Sequence, residues 1–538
     1  MGKASAEDDD EYFSECFVDT GFIDRLLSET SSTSVIIGRT GGGKSAIMRK
    51  IKESNDDVIE LHPENLSLGY LADSWLLKFL TENSFDLSIF YQQLWRHVLV
   101  VELLKFHEKL ENSQKLRGFL EKLTSLIADN TGKKKAFEYL QKYGGDFWSD
   151  TDERVKQITD EFEKQVEKEF GANYKSVSAK YKRGETIGRN ETRELVSKAQ
   201  SITSSIQMRE LARIIEILDE DIFTDRKRKV ILIIDDLDRQ WADDRVRIKL
   251  IEALINAIPK FRKIKNVKIV IAMRDDLLDI VLENSSTAGF QRDKFKDHSQ
   301  RLTWKPFELQ NLINRRVGNL FQRRYTNDQV SLRDLFEDGR RSAEYFGYIC
   351  ERTMLRPRDI LAYFNMIFER CGGKSKITLK DIRSVELDYS KDRRQALVDE
   401  WRDYIPCVNH LIGFLGNRKL SATFRLASVP SEVVDSLAMQ LCVDFDGDTS
   451  SVVLFAKRHF DENSDQSRDI FLSKVTSLLY RMGILGVRTQ ENSKTQFSFI
   501  SKPSISSEEI NENTWCVIHP MLWQNLGRRA DIKPLFSD

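Results

Sequence analysis

The chain has 538 residues, enough for about three domains of ordinary size. It is 40% hydrophobic and 31% charged, with 83 Lys+Arg against 84 Asp+Glu and a net charge of -1. That balance excludes a collagen, a disordered tail and a globally basic nucleic-acid binder, while a local basic face stays open. The longest aliphatic runs, Val98–Val101 and Val230–Ile234, fall far short of the ~20 residues that cross a bilayer. The acidic start has no apolar stretch of a secretory signal, and Ala6 stands where a myristoylation signal needs Ser or Thr. The expectation is a cytoplasmic protein with no membrane partner.

In chain order, Ser34–Ile37 reads as a short buried strand, followed by a glycine-rich stretch and then a helix. A second strand is predicted at Val58–Leu61. Residues 64–229 are polar and helical in period, with Val155, Ile158, Phe162, Val166 and Phe170 forming one apolar stripe. Such a stripe either docks a partner or packs on the domain's own core. Val230–Ile234 and Val267–Met273 are continuous apolar runs of the kind buried in parallel sheets, joined by helical Arg245–Pro259. A last core strand is expected at Arg301–Trp304, and 306–372 read as helical. In the remainder, Ile470, Phe471, Val475, Leu478, Leu479 and Met482 share a helix face. A two-stranded hairpin follows, Ile484–Thr489 and Thr495–Ile500, in the order of a winged helix. The acidic start, Glu7–Glu11, reads as a frayed terminus.

The six cysteines are dispersed without a C-x-x-C pair and read as reduced core residues. The seven histidines form no metal-ligand spacing, so the only metal expected is one that a nucleotide brings. The segment Gly38-Arg39-Thr40-Gly41-Gly42-Gly43-Lys44-Ser45 matches G-x-x-x-x-G-K-[ST]. Glycines allow backbone N–H groups to converge on phosphate oxygens. Lys44 would reach the β/γ-phosphates, Ser45 would help to hold Mg2+, and the helix beginning near Lys44 points its dipole at the anion. A metal site also needs a carboxylate on a neighbouring strand. Asp235-Asp236-Leu237-Asp238-Arg239 comes directly after the run at 231–234, so Asp235 would orient the metal and Asp236 would polarise the attacking water. The alternative for both acids is a solvated strand end. Arg274, at the tip of the next strand, is either a γ-phosphate sensor or a salt-bridge partner of Asp275 or Asp276. Arg356 and Arg358 begin a helix, where the dipole disfavours cations, and both are candidates for a γ-phosphate contact.

This order and spacing resembles the additional-strand P-loop ATPases: AAA+ proteins and their STAND and KAP relatives. The resemblance rests on 38–45, 235–239 and Arg274, and the opening Phe17–Arg25 is similar to the segment that borders the nucleotide base in those proteins. It implies an α/β core with a parallel sheet (1–63 and 230–305), a helical insertion (64–229), a helical lid (306–394) and a winged-helix-like C-terminal domain (395–538). It implies ATP and Mg2+ as cofactors and an ATP-hydrolysing switch that forms a homo-oligomer and controls a separate effector protein, as in bacterial antiviral defence. The insertion is longer than is usual for the family, and an arginine finger is unassigned, with Arg292 and Arg301 as guesses. The alternative is a nucleotide-regulated DNA-binding protein, in which Arg468, Lys474, Arg481, Arg488 and Lys494 would face nucleic acid. A small-molecule P-loop kinase is disfavoured by the D-D-L-D run and the long helical additions.

Overall fold

The computed structural model describes the chain except at residues 29, 67–70, 72–73, 84, 109–150, 206–207, 226, 240, 243, 285–294, 326–327, 449, 489–492, 502–503 and 529–538. The chain forms two compact units: residues 21–37 with 47–301, and residues 1–20 and 38–46 with 302–538.

The first unit is built on a five-stranded parallel sheet. Its strands are β1 (Val35–Ile37), β2 (Val58–Leu61), β3 (Val230–Ile234), β4 (Val267–Met273) and β5 (Ser299–Arg301), in the order β2-β3-β4-β1-β5. In register, Ile234 lies opposite Leu61 and Ile271, and Ile37 lies opposite Met273 and Arg301. All five residues of β3 are buried, as expected of a β-branched run covered on both faces. Three strands have the bounds that the sequence predicts. The last one ends earlier than expected, at Arg301 instead of Trp304. Its partner β1 stops at Ile37 before the glycine turn, so no strand backbone remains to pair with 302–304. Arg301 therefore lies within the last strand and not ahead of it, while Arg292 is outside the described residues.

After β1 the chain passes through 38–43 into helix α1 (Lys44–Ser54). The long insertion contributes α2 (Trp75–Glu82), α3 (Ser88–Glu108) and α4 (Thr151–Phe170), and α5 (Asp244–Ala257) is the crossover between β3 and β4. On the predicted stripe, Phe162, Val166 and Phe170 are buried. The side chains of Val155 and Ile158 lie outside those described. Leu99, Trp95 and Val166 belong to the same buried cluster as Leu232, Ile234 and Ile271 of the sheet. The Trp95 indole donates to the Leu250 carbonyl at 2.8 Å, fixing α3 against α5. Of the two fates open to the stripe, its described part takes the second: it packs on the core of its own unit.

The second unit continues the chain through α6 (Pro306–Arg324), α7 (Ser342–Cys350), α8 (Pro357–Arg370) and α9 (Glu386–Trp401). It then adds α10 (Val408–Leu415), α11 (Ser431–Asp444), α12 (Ser451–Glu462) and α13 (Asp465–Arg481). Of the predicted face, Phe471, Val475, Leu479 and Met482 are buried, while Ile470 and Leu478 are half-buried at its margin. An antiparallel sheet of β6 (Thr423–Arg425), β7 (Leu485–Arg488) and β8 (Trp515–Ile518) closes this region in the order β6-β8-β7. The expected second hairpin strand at 495–500 makes one bridge, Gln496 to Val487, and then turns. The Ile500 and Ser501 amides donate to the Phe497 carbonyl, which ends the strand, and β8 takes the place beside β7. The acidic start is not frayed either: Asp9 is 2% exposed and ion-paired to buried Arg316 at 2.5 Å. All six cysteines are free thiols, five of them buried.

Candidate functional site

The glycine loop has the backbone its sequence demands. Gly41 and Gly43 have φ values of +72° and +101°, a region that side-chain-bearing residues avoid. A Cβ on Gly41 would also stand 2.7 Å from Cβ of Arg358. Lys44 folds back over the loop, its Nζ donating to the Gly38 carbonyl at 2.9 Å and the Arg39 carbonyl at 3.2 Å. The Thr40 hydroxyl oxygen is buried and has no hydrogen-bond partner among the described residues. A phosphate oxygen would satisfy it, so this loop fits the anion that its glycines prepare for.

Within the second unit, which includes the loop, the two arginines singled out in the sequence, Arg356 and Arg358, both meet it, in different ways. Arg356 is the N-cap residue of α8, ahead of Pro357 at the first helical position. Its Nη1 donates to the Thr40 carbonyl at 3.0 Å, and its guanidinium pairs with Asp359 at 2.9 Å and Glu400 at 3.2 Å. Asp359 is fully buried in the first turn of α8, where the dipole favours an anion; it also accepts the Met354 amide and pairs with Arg393 at 3.2 Å. Burial opposes both charges, yet the carboxylates hold the Arg356 pKa above its ordinary value, and Arg356 and Arg393 hold Asp359 below its own. Arg356 is thus a buried strut between the start of α8 and the loop. Arg358 is half-buried; its amide donates to the Gly41 carbonyl at 3.3 Å and its side chain lies against Gly41. Among the described residues no carboxylate pairs with its guanidinium.

Two contacts of the loop were not foreseen. The Trp304 indole donates to the Gly42 carbonyl at 2.7 Å, and its ring lies 3.6 Å from where a Cβ on Gly43 would stand. Arg39 reaches the C-terminal region: Nη2 donates to the Arg481 carbonyl at 2.7 Å and to Ser498 Oγ at 2.5 Å, and Nη1 to the Met482 carbonyl at 3.1 Å. Those carbonyls end helix α13, where the partial charge is negative and a cation is favoured. The sequence marks Arg39 only as a variable position of the phosphate motif, so it carried no signal for this contact.

In the sheet unit, Asp235 and Asp236 follow β3, and Arg274 follows β4. The Asp236 amide donates to Asp235 Oδ1 at 2.9 Å, and Asp236 takes a left-handed φ of 59°. Asp236 Oδ2 lies 3.1 Å from Arg239 and 3.8 Å from His62. Arg274 makes the salt bridge that was its alternative: it holds Asp276 through two bonds of 2.9 and 2.7 Å, and Asp238 at 3.4 Å. Arg301 is paired with Asp275 at 2.6 Å. Of the basic residues considered for nucleic acid, Arg468 donates to Asp469 and to the Val429 carbonyl, and Arg488 lies over the Trp515 ring.

Residues 307–398 match the family model of the FunZ-associated C-terminal helical domain. The chain is 22% identical over 550 residues to the 80.3 kDa protein of transposon gamma-delta from Escherichia coli (strain K12), covering 98% of this chain and 67% of that one. Among solved structures it aligns with the Walker-type ATPase of Pyrococcus abyssi over 98% of both chains, at 12% identity and a TM-score of 0.38.

Proposed function

We propose that this chain is an ATP-binding and hydrolysing P-loop enzyme in which the nucleotide sets the state of the lid and the C-terminal region. The observation that carries the reading is the glycine loop, with its two left-handed glycines, orphaned Thr40 hydroxyl and overlying Arg358, directly following strand β1. The sheet order supports it, because β4 separates β1 from the acid-bearing β3, as the additional-strand resemblance expects.

In this reading the backbone amides of 40–45 bind phosphate, and Lys44 leaves the Gly38 and Arg39 carbonyls for the β/γ-phosphates. Arg358 contacts the γ-phosphate, while Arg356 holds α8 against the loop. Ser45 and Asp235 would hold Mg2+, which neutralises phosphate charge. Asp236 orients the attacking water and takes up its proton. Motion of the loop reaches the C-terminal region through Arg39. The finer reading follows the resemblance: a lid at 306–394, a winged-helix-like domain at 395–538, a homo-oligomer larger than a dimer, and control of a separate effector, in antiviral defence. No observation favours the DNA-binding alternative over this one.

The test pairs nucleotide titration with mass photometry. Lys44→Ala should weaken ATP binding at least about thirtyfold, the equivalent of losing ~2 kcal/mol from a charge pair. Turnover per subunit should rise with protein concentration as the oligomer fills. Wild-type affinity in the variant would remove the phosphate-loop assignment, and a strict monomer with constant turnover would remove the assembly.

A further inference from the structure

Three consecutive carbonyls of the glycine loop are held from outside the loop, all within the second unit. The Thr40 carbonyl accepts Arg356 Nη1 at 3.0 Å, and the Gly41 carbonyl accepts the Arg358 amide at 3.3 Å. The Gly42 carbonyl accepts the Trp304 indole N–H at 2.7 Å. In a planar trans peptide the carbonyl and the next residue's N–H point in opposite directions. Each bond therefore turns the following amide, of Gly41, Gly42 or Gly43, away from the group that holds the carbonyl. The Gly42 amide closes a turn within the loop, donating to the Arg39 carbonyl at 3.0 Å. That leaves the amides of Gly41 and Gly43 for an anion. A left-handed φ at 41 and 43, but not at 42, is the kind of alternation that makes an anion-binding concavity of backbone amides.

The three holds differ in kind. Arg356 is shared with Asp359 and Glu400, and Arg358 acts here through its backbone. Trp304 has one polar group, a donor only, and spends it on the loop. Its place is fixed by the start of α6. Lys305 is the N-cap residue, and its amide donates to Glu308 Oε2 at 2.8 Å in a capping box. Two residues before Trp304, buried Leu302 has its Cβ 3.4 Å from where a Cβ on Gly38 would stand. The segment 302–304 thus packs along the loop from Gly38 to Gly43. Any large apolar ring could cover Gly43. Only the indole also fixes the peptide that joins Gly42 to Gly43.

We propose that Trp304 is a positioning residue of the phosphate loop: by holding the Gly42 carbonyl it aims the Gly43 amide at a bound phosphate. This rests on the reading of the loop as a nucleotide site and adds how that site is kept ready. Without the indole N–H the peptide at 42–43 is free to rotate, and only part of the population keeps the receptive shape. Apparent affinity falls by that fraction. The amides of such a loop cradle the phosphates that ATP and ADP have in common, so both nucleotides lose alike. Once bound, the phosphate itself holds the peptide, and the chemical step proceeds as before. Trp304 therefore differs from Arg358, whose removal is expected to tell ATP from ADP.

The test uses the full-length chain with Trp304→Phe, and a second variant with 3-benzothienylalanine at position 304. The latter keeps the size of the ring and lacks only the N–H, so it decides the matter if Trp304→Phe folds poorly. Calorimetric titration with ADP should show affinity weakened about three- to tenfold, the scale of one hydrogen bond. In steady-state turnover the KM for ATP should rise by the same factor, with kcat within about twofold of the wild type. A wild-type affinity for ADP in the benzothienylalanine protein overturns the proposal, leaving Trp304 a packing residue. A loss confined to ATP, or a fall in kcat at constant KM, overturns it too, by moving Trp304 to the γ-phosphate or to the chemical step. The underlying reading fails separately: a wild-type chain that binds neither nucleotide, or binds both as well after Lys44→Ala, removes the phosphate loop itself.

Discussion

The glycine loop and the carboxyl ends of the parallel strands were both considered as places where arginines meet a nucleotide, and the two regions treat their arginines differently. At the ends of β3, β4 and β5 each described arginine is paired with a nearby acid: Arg239 with Asp236, Arg274 with Asp276 and Arg301 with Asp275. At the loop, two arginines only two residues apart divide the tasks. Arg356 is 7% exposed and bound to two carboxylates, whereas Arg358 lies over Gly41 with no carboxylate partner among the described residues. An arginine beside a run of acids becomes part of the scaffold. One held by a helix start, with its neighbour absorbing the local acids, is left without a carboxylate partner among the described residues.

The largest expected effect breaks the strand-end side. Asp236→Asn should slow ATP hydrolysis by about two to four orders of magnitude while sparing binding, the scale of general-base catalysis. Unchanged steady-state turnover would make the Asp236–Arg239 pair purely structural. Next come the two neutralised arginines. Arg356→Ala leaves Asp359 buried with Arg393 and one amide, and Arg274→Gln leaves Asp276 buried at 5% exposure. Each should lower unfolding stability by about 3 kcal/mol, measured by denaturant titration. Arg358→Ala sharpens the contrast. It should leave stability within ~0.5 kcal/mol but cost about ten- to a hundredfold in ATP affinity with ADP affinity unchanged, as expected for one charge-assisted hydrogen bond. Equal losses for both nucleotides would move Arg358 off the γ-phosphate.

The smallest effect concerns a neutral group near the same arginines. His519 is fully buried, accepts the Met521 amide on Nδ1, and packs against Phe497 and Phe499. Burial is the main cause that lowers its pKa to about 3. The unfolded chain takes up a proton near pH 6.5 and the folded one does not. Stability is therefore full above about 6.5 and falls as pH drops toward 3, by up to ~1.4 kcal/mol per pH unit from this group. Guanidinium titrations at pH 7, 6 and 5 should show that slope, and His519→Gln should lessen it. The same slope in both proteins would assign it to other groups.

Much of the fold was legible in the sequence. Apolar runs bounded by turns gave three core strands at their observed ends, and 3.6-residue periodicity gave α13 and the buried part of the 151–170 stripe. The glycine spacing announced the two left-handed residues, because that backbone is costly for a residue with a side chain and Gly adopts it freely. The misjudged elements depended on partners distant in sequence. β5 ends where β1 ends, β8 displaces 495–500 beside β7, and Asp9 is buried by Arg316, more than three hundred residues away.

By itself, then, the sequence determined the glycine loop, the parallel α/β core and the helical character of residues 306–372, since these are set by neighbouring residues and their period. Only the tertiary structure decided which arginine is left without a carboxylate partner among the described residues, that Arg39 reaches carbonyls 442 and 443 residues further along the chain, and that Trp304 holds the Gly42 carbonyl. Charge becomes available or cancelled according to what packs within a few ångströms of it, and that distance is fixed by packing rather than by position in the chain.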